Sequence, residues 1–531
     1  MTAEVTLLSQ ADHSVSPPRV VVPREYNAAF DLIARNLGPE RGMRCAYIDD
    51  HGRYSFDDLD SASARVASVL KSAGLSAEQR VLMCMHDSFA WPAVFLGAIR
   101  AGIVPVPVNT LLTTQDYGWM LADSRAPIAV VSAPLLPLFE PLLERVPSLR
   151  RLIVADAVVA GPDSLAALMA AAAPDHAIAA TRADDACFWL YSSGSTGSPK
   201  GTVHVHSSLI HTAELYARPI LGIGADDTVF SAAKLFFAYG LGNALSFPLS
   251  VGACTVLMAE RPTPEAVFQR LISHQPSIFC GVPTLYASLL ASPALPPPSA
   301  LKLRRCSSAG EALPADIAQR WQRHFGLDIL DGIGSTEMLH IFLSNRTDAL
   351  RYGTTGQPVP GYEMRIVDDD GQVVAAGELG ELQVRGPSAA AMYWNNREKS
   401  RATFLGHWTR TGDKYHIDTD GYYVYGGRSD DMLKVGGIYV SPSEVESALI
   451  DHPAVLEAAV VGRADEAQLI KPAAYVVLNA GLTPSTALAA ELKAHVRTRL
   501  APYKYPRWIE FVAELPKTAT GKIQRYKLRE P

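Results

Sequence analysis

Short runs of aliphatic and β-branched residues at 80–85, 128–132, 152–155 and 277–280 alternate with longer stretches of helical period such as 91–101 and 264–274. This alternation, from about residue 26 to 330, predicts parallel sheets covered by helices. Some twenty polar, proline-punctuated residues come first and read as a loose arm, with the first helix expected over 26–37. The Ala-rich stretch 165–173 predicts a surface helix, alanine being the best helix former. After Gly353 the texture changes: 364–367, the turn Asp370-Gly371 and Val373-Val374 predict one hairpin, with strands at 381–385 and 422–425 in a mostly antiparallel subdomain. Residues 426–431 (GGRSDD) gather glycine and acidic turn residues, which places a hinge there. Beyond it, helices at 442–451 and 486–500 and strands at 455–461, 474–478 and 508–512 form a small α+β module. The expected fold is α/β: a large N-terminal domain of helix-covered sheets plus an antiparallel β subdomain, residues 1–430, and a small α+β C-terminal domain, residues 431–531. No repeat of fixed period is visible.

Composition narrows the classes of function. The chain is 48% hydrophobic and 19% charged over 531 residues, which describes a globular protein with ample core material rather than a disordered or membrane chain. A net charge of -6, with no basic stripe, argues against a nucleic-acid partner. The six cysteines form no C-x-x-C pair and suit neither a zinc knuckle nor a disulfide framework, so reduced thiols are expected. With no basic-then-apolar leader and no apolar run of about 20 residues, a cytoplasmic location away from the membrane is expected.

The sharpest chemical signal is residues 191–201, YSSGSTGSPKG. They follow an expected strand at 186–191. Gly194, Gly197 and Gly201 let the backbone curl so that amides and hydroxyls converge on anionic oxygens, and Lys200 adds a full positive charge. The loop ends in no Gly-Lys-Ser/Thr and contains no G-x-G-x-x-G, so neither the common nucleotidase loop nor a dinucleotide fingerprint is present.

Four further segments accompany that loop in order: 331–337 (DGIGSTE), 409–413 (TRTGD), 427–431 (GRSDD) and 516–522 (PKTATGK). With it they resemble the adenylate-forming superfamily, which holds acyl-CoA synthetases, firefly luciferase and the adenylation domains of peptide synthetases; the resemblance runs from about residue 26 to 529. It implies that ATP is held by Ser192, Ser193, Gly194, Ser195, Thr196, Gly197 and Lys200, by the adenine-side Ala309, Gly310 and Glu311, and by Asp331, Gly332, Ile333, Thr336, Asp413 and Arg428. A carboxylate next to a hydroxyl suits Mg²⁺ carrying triphosphate oxygens, which implies a metal role for Glu337 beside Thr336. Asp413 would accept from the ribose hydroxyls and Arg428 would bind ribose or phosphate. Many relatives carry Tyr where this chain has Ile333, so an aliphatic surface is expected against adenine. Lys522 is implied as the catalytic cation, with Thr336 and Glu337, for attack of the carboxylate on the α-phosphate. Asp430 is the implied hinge of a C-terminal lid that rotates between half-reactions, bringing Lys434, Gly436 and Gly437 to the coenzyme A tunnel. No general base for the thiol is apparent.

The acyl pocket is expected from Phe237, Ala238, Tyr239, Gly240, Gly334, His340 and Ile341. No aspartate stands in 234–243 to hold a substrate ammonium, so an amino acid is disfavoured. This segment, with 338–341 (MLHI), resembles benzoate-CoA ligases, and a flat aromatic acid packs well against Tyr and Phe. The expected activity is ATP-dependent formation of an aryl-CoA thioester, benzoyl-CoA from benzoate, through an acyl-adenylate with release of pyrophosphate and AMP. Medium-chain fatty or substituted aryl acids, and loading of a carrier protein, remain open alternatives. The expected partners are an aromatic carboxylate, ATP, Mg²⁺ and coenzyme A, with a homodimer left open.

Overall fold

The computed structural model describes residues 7–155, 161–194, 197–429, 431–435, 438–466, 469–501, 503–517 and 523–529. Its frame is a nine-stranded sheet in the order Gln357–Pro358, Ile341–Ser344, Ile329–Gly334, Arg305–Ser308, Ile278–Gly281, Thr228–Ser231, Cys254–Val256, Cys45–Asp49, Gly52–Ser55. The strands from Ile329–Gly334 to Cys45–Asp49 run parallel, and the outer ones turn antiparallel. A second, all-parallel sheet joins Val104–Pro107, Arg80–Cys84, Ile128–Val131 and Arg151–Val154. All four residues of Ile128–Val131 are buried, as expected of a strand covered on both faces.

The helices between these strands start and stop where the sequence places them. Thr263 caps Pro264–His274 by accepting from Ala266 N, Pro264 occupies the first turn, and Gln275 ends the helix in the left-handed region. The Ala-rich stretch forms Leu165–Ala171, and the first helix is shorter than its pattern, Ala28–Ala34, because Asn27 is its cap and accepts from Phe30 N. From Ser9 to Val21 the chain is not a loose arm. Gln10–Asp12 pairs with Arg19–Val21, Ser9 Oγ donates to Asp31 Oδ2 at 2.6 Å, and His13 Nε2 meets Glu214 Oε2 at 2.7 Å. Contacts of single polar residues tie this hairpin down, and hydrophobic periodicity does not register them.

The antiparallel subdomain forms. The expected hairpin closes on one edge of Glu363–Val367, where Val373 bridges Val367, Asp368 N donates to Gln372 O at 2.9 Å and Val374 N to Ile366 O at 3.0 Å; Gly380–Arg385 pairs with the other edge. Gly380–Arg385 then pairs with Trp408–Ile417, which pairs with Tyr423–Arg428. Gly426 to Arg428, read from sequence as turn and hinge, therefore lie within a strand. Past this point Val455–Ala464 and Ile470–Leu478 are antiparallel, with Trp508–Phe511 parallel to the second. Helices Pro442–Ile450 and Thr486–Arg499 join them in a hydrophobic cluster that includes Val440, Val460, Val476 and Leu492. Among the described residues no helix is long and apolar enough to cross a membrane.

Candidate active site

The described residues of the expected phosphate loop lie on two paired strands, Ala186–Gly194 against Gly197–Val205, rather than on a free loop after one strand. Ser195 and Thr196 lie outside the described residues, as do Asp430, Gly436, Gly437 and Lys522. Ser193, Gly194, Gly197 and Lys434 are placed by backbone alone, on strands. In the hairpin's register Lys200 faces Ser192, so the cation and a hydroxyl stand side by side.

Both act on Glu337, Ser192 by a hydrogen bond and Lys200 through its charge. Ser192 Oγ donates to Glu337 Oε1 at 3.3 Å, and Tyr393 OH donates to the same oxygen at 2.7 Å. Lys200 Nζ sits 4.7 Å from the centre of the Tyr393 ring, a cation–π distance. Burial lowers the Lys200 pKa, and the Glu337 charge opposes that shift. Tyr393 belongs to the short strand Met392–Tyr393, which pairs with Thr202 and Val203 of the hairpin. Trp394 N donates to Gly201 O and Ala390 N to Glu337 O, each at 2.7 Å. Sheet pairing thus positions Lys200, Tyr393 and Glu337 together. Thr336 is fixed from the same hairpin: His204 Nε2 donates to its carbonyl at 2.8 Å, and burial drops the His204 pKa to about 4, keeping the ring neutral.

The adenine-side segment comes next. Ala309 is buried, Gly310 takes φ of +99°, and Glu311 Oε1 accepts from Ile523 N at 3.0 Å. That bond carries the C-terminal segment to the edge of the site, one residue past Lys522. Asp331 is less open than its expected nucleotide role suggests. It is fully buried, burial pushes its acid well above the carboxylate range, and Oδ1 has no hydrogen-bond partner among the described residues. Gly332 and Ile333 continue its strand, and Gly334 has no room for a Cβ against the His340 backbone. On the facing sheet Asp413 lies opposite Arg428, whose Nη1 donates to Asp413 Oδ1 and to Thr411 O, both at 3.2 Å.

Between these segments lies a cavity of about 160 Å³. Phe237, Ala238, Tyr239, Gly334, His340 and Ile341 line it, and so do Ala309, Gly310, Glu311 and Thr336, the residues expected on the nucleotide side. Gly240 does not line it: the residue packs behind the wall, where a Cβ would run into the Lys234 carbonyl. The polar tips of the wall are engaged by the protein. Tyr239 OH shares a 2.7 Å hydrogen bond with Ser307 Oγ, and burial keeps it a neutral phenol. His340 Nε2 donates to Tyr239 O at 3.3 Å, and burial lowers its pKa to about 3. Its ring packs edge-on to Phe247 and beside Tyr216 and Tyr239, with centroids 4.4 to 5.4 Å apart.

Sequence reading gave no role to Tyr393, His204 or Lys234. Lys234 lines the cavity while its Nζ donates to Met258 O and, at 2.7 Å, to Glu260 O. His204 alternates with apolar Val203 and Val205 on one strand, and that inward polar position was the available signal. Tyr393 carried none, because its partner Glu337 is distant in sequence.

The pattern of the AMP-binding enzyme family matches residues 38–394, and that of the AMP-binding enzyme C-terminal domain matches residues 444–522. A benzoate–CoA ligase of Thauera aromatica is 64% identical over 98% of this chain and 99% of its own. A crystal structure of a benzoate CoA ligase from Burkholderia xenovorans superposes with a TM-score of 0.90 at 56% identity, over 95% of this chain and 100% of that one. An anthranilate CoA ligase in complex with anthranoyl-AMP gives 0.92 at 43% identity, over 96% and 97%. With a family pattern spanning most of its length and relatives this similar from end to end, the chain belongs to the AMP-binding enzyme family.

Proposed function

We propose that the protein is an ATP-dependent benzoate–CoA ligase: benzoate attacks the α-phosphate of ATP to give benzoyl-AMP and pyrophosphate, and coenzyme A then displaces AMP to give benzoyl-CoA. The observation that carries this reading is the cavity of about 160 Å³, walled by Phe237, Tyr239 and His340 and open toward Thr336. A cavity of roughly 150 Å³ is enough for a benzene ring. The similarity to benzoate–CoA ligases supports the same substrate.

In this reading Lys200 and the 192–197 hairpin tip grip the β- and γ-phosphates, and the ribose lies against Asp413 and Arg428. Glu337 is the residue fitted to Mg²⁺: Ser192 and Tyr393 both bind Oε1, and Oε2 accepts no hydrogen bond among the described residues. The ion's contribution is to neutralise triphosphate charge. Thr336, held by His204, orients the acid's carboxylate, and Lys522 balances the charge that develops on the α-phosphate. Residues 431–531 act as the lid, turning at Asp430 so that Lys434, Gly436 and Gly437 face the pantetheine arm. Dependence on ATP and CoA supports a cytoplasmic location in this reading. Pyrophosphate release measured over a panel of carboxylic acids with CoA and MgATP tests the substrate: benzoate should rank above hexanoate, and the reverse order overturns the assignment.

A further inference from the structure

Two of the six cysteines, 209 positions apart, meet on the nine-stranded sheet. Cys254 opens the strand Cys254–Val256, and Cys45 opens its neighbour Cys45–Asp49. In regular parallel pairing Thr255 stands opposite Tyr47, which would set Cys254 beside Ala46. A register shift between Cys45 and Tyr47, on the side paired with Gly52–Ser55, interrupts that regularity, and bulges of this kind re-aim side chains. The outcome is direct: Cys254 Sγ donates to Cys45 Sγ at 3.4 Å.

The two thiols are unequal. Both are part-exposed, but the Cys254 thiol donating to Cys45, with the Arg53 guanidinium nearby, lowers the Cys45 pKa to about 7. Cys254 is shifted the opposite way, because Cys45 holds the negative charge and burial disfavours a second. Cys84, Cys187, Cys280 and Cys306 are buried, and burial pushes the Cys84, Cys280 and Cys306 thiols up to about 12. A part-exposed thiolate beside a cation and a second thiol is the arrangement of a nucleophile with its resolving partner.

We propose that Cys45 and Cys254 form a dithiol modification site for small-molecule disulfides of the glutathione class. The Cys45 thiolate attacks one sulfur of the disulfide, forming a mixed disulfide and releasing one thiolate. Cys254, giving up its proton, then attacks Cys45 Sγ and releases the second thiol. Two electrons pass from the protein to the reagent, and the sulfurs close from 3.4 Å to bonding distance of about 2.0 Å. The bond would staple the Cys45–Asp49 strand to Cys254–Val256, whose chain continues to the Met258 and Glu260 carbonyls that hold Lys234.

The folded, full-length protein is incubated with oxidised glutathione, alkylated and digested with trypsin, which leaves Cys45 and Cys254 each alone in its peptide, 45–53 and 235–270, since the Arg261-Pro262 bond is not cut. The expected result is a crosslinked 45–53/235–270 peptide, with alkylation of both cysteines falling at least about tenfold while the other four stay reduced, and with a rate that rises through pH about 7. Cys254→Ser should leave Cys45 as a stable glutathione adduct, and Cys45→Ser should leave Cys254 unmodified. A wild-type protein in which Cys45 stays alkylatable, carries glutathione without crosslinking, or reacts no faster than the buried four overturns the proposal, and this readout needs no variant to fold.

Discussion

Tyr393→Phe removes one hydroxyl and keeps the ring, so it separates the hydrogen bond to Glu337 from the contact with Lys200. The bond is 2.7 Å long, to a carboxylate, with the phenol held neutral by burial and by the adjacent Glu337 charge. Hydrogen bonds to charged groups contribute about 1.5–3 kcal/mol. Glu337 is only half-buried and Ser192 still donates to the same oxygen, so the low end, about 1.5 kcal/mol, applies, a factor of roughly ten. The expected result is a roughly tenfold loss in kcat/KM for MgATP in benzoate-dependent pyrophosphate release, with a matching rise in the Mg²⁺ concentration for half-maximal rate. Conversion of supplied benzoyl-AMP and CoA to benzoyl-CoA should be unchanged, since no triphosphate takes part. If both half-reactions fall together, or the Mg²⁺ dependence does not move, Tyr393 does not position Glu337 for the metal and the reasoning fails.

Gly240→Ala should destabilise the enzyme by about 1–3 kcal/mol, because the added methyl meets the Lys234 backbone carbonyl rather than a flexible side chain; urea unfolding reads the loss, and an unchanged midpoint refutes it. Acid should unfold the protein through its buried imidazoles. His204, His206 and His211 are lowered to about 4 and His340 to about 3, against 6.5 when unfolded, so their stabilising contribution is complete above pH 6.5 and is lost as pH falls toward 4. Asp87, raised to about 6, and Asp331, which burial pushes well above the carboxylate range, act in reverse: the folded state holds their protons near pH 5 where the unfolded state does not. Four protons less two leaves about two taken up on unfolding at pH 5, a slope of about 2.7 kcal/mol per pH unit; unfolding free energies measured from pH 6.5 to 4.5 that stay flat would contradict it.

The parts of the fold that sequence made legible are those with local causes. Pro264–His274 is bounded as expected because its cap, its proline and its terminus all lie within it. The Asp370-Gly371 turn is also local: Gly371 takes φ of +80° and Asp368 Oδ1 accepts from Asp370 N and Gln372 N. Val373-Val374 closes the expected hairpin on one edge of Glu363–Val367, while the partner on its other edge, Gly380–Arg385, is set by cross-strand packing over a longer interval. Tertiary contact overrides composition again at Gly427, held in a strand at φ of +121° with Met432 and Ser441 packed against it. In the site, the hydroxyl-rich hairpin, Glu337 and the aromatic wall were visible as motifs. Tyr393 and His204 were not, because each acts across strand pairing on a residue more than fifty positions away.

The wall also explains how such a pocket discriminates among aromatic acids. Tyr239 OH is bound to Ser307 and His340 Nε2 to the Tyr239 carbonyl, so a ring substituent would have to compete with these bonds at both atoms. A hydroxyl on the substrate would be buried against apolar surface, at a cost of about 1–3 kcal/mol when unpaired. A substituent of methyl size would meet a cavity of about 160 Å³ already filled by the ring. Recognition then rests on shape and on exclusion of polar groups, and the acid panel should show benzoate ahead of its hydroxylated forms by roughly 5- to 150-fold in kcat/KM. A ligase of Rhodopseudomonas palustris named for both 4-hydroxybenzoate and benzoate is 50% identical to this chain. Freeing one tip by a single substitution, such as Ser307→Ala beside the Tyr239 hydroxyl, is therefore expected to narrow the gap between the two acids; a gap that stays the same would show that volume alone sets the preference.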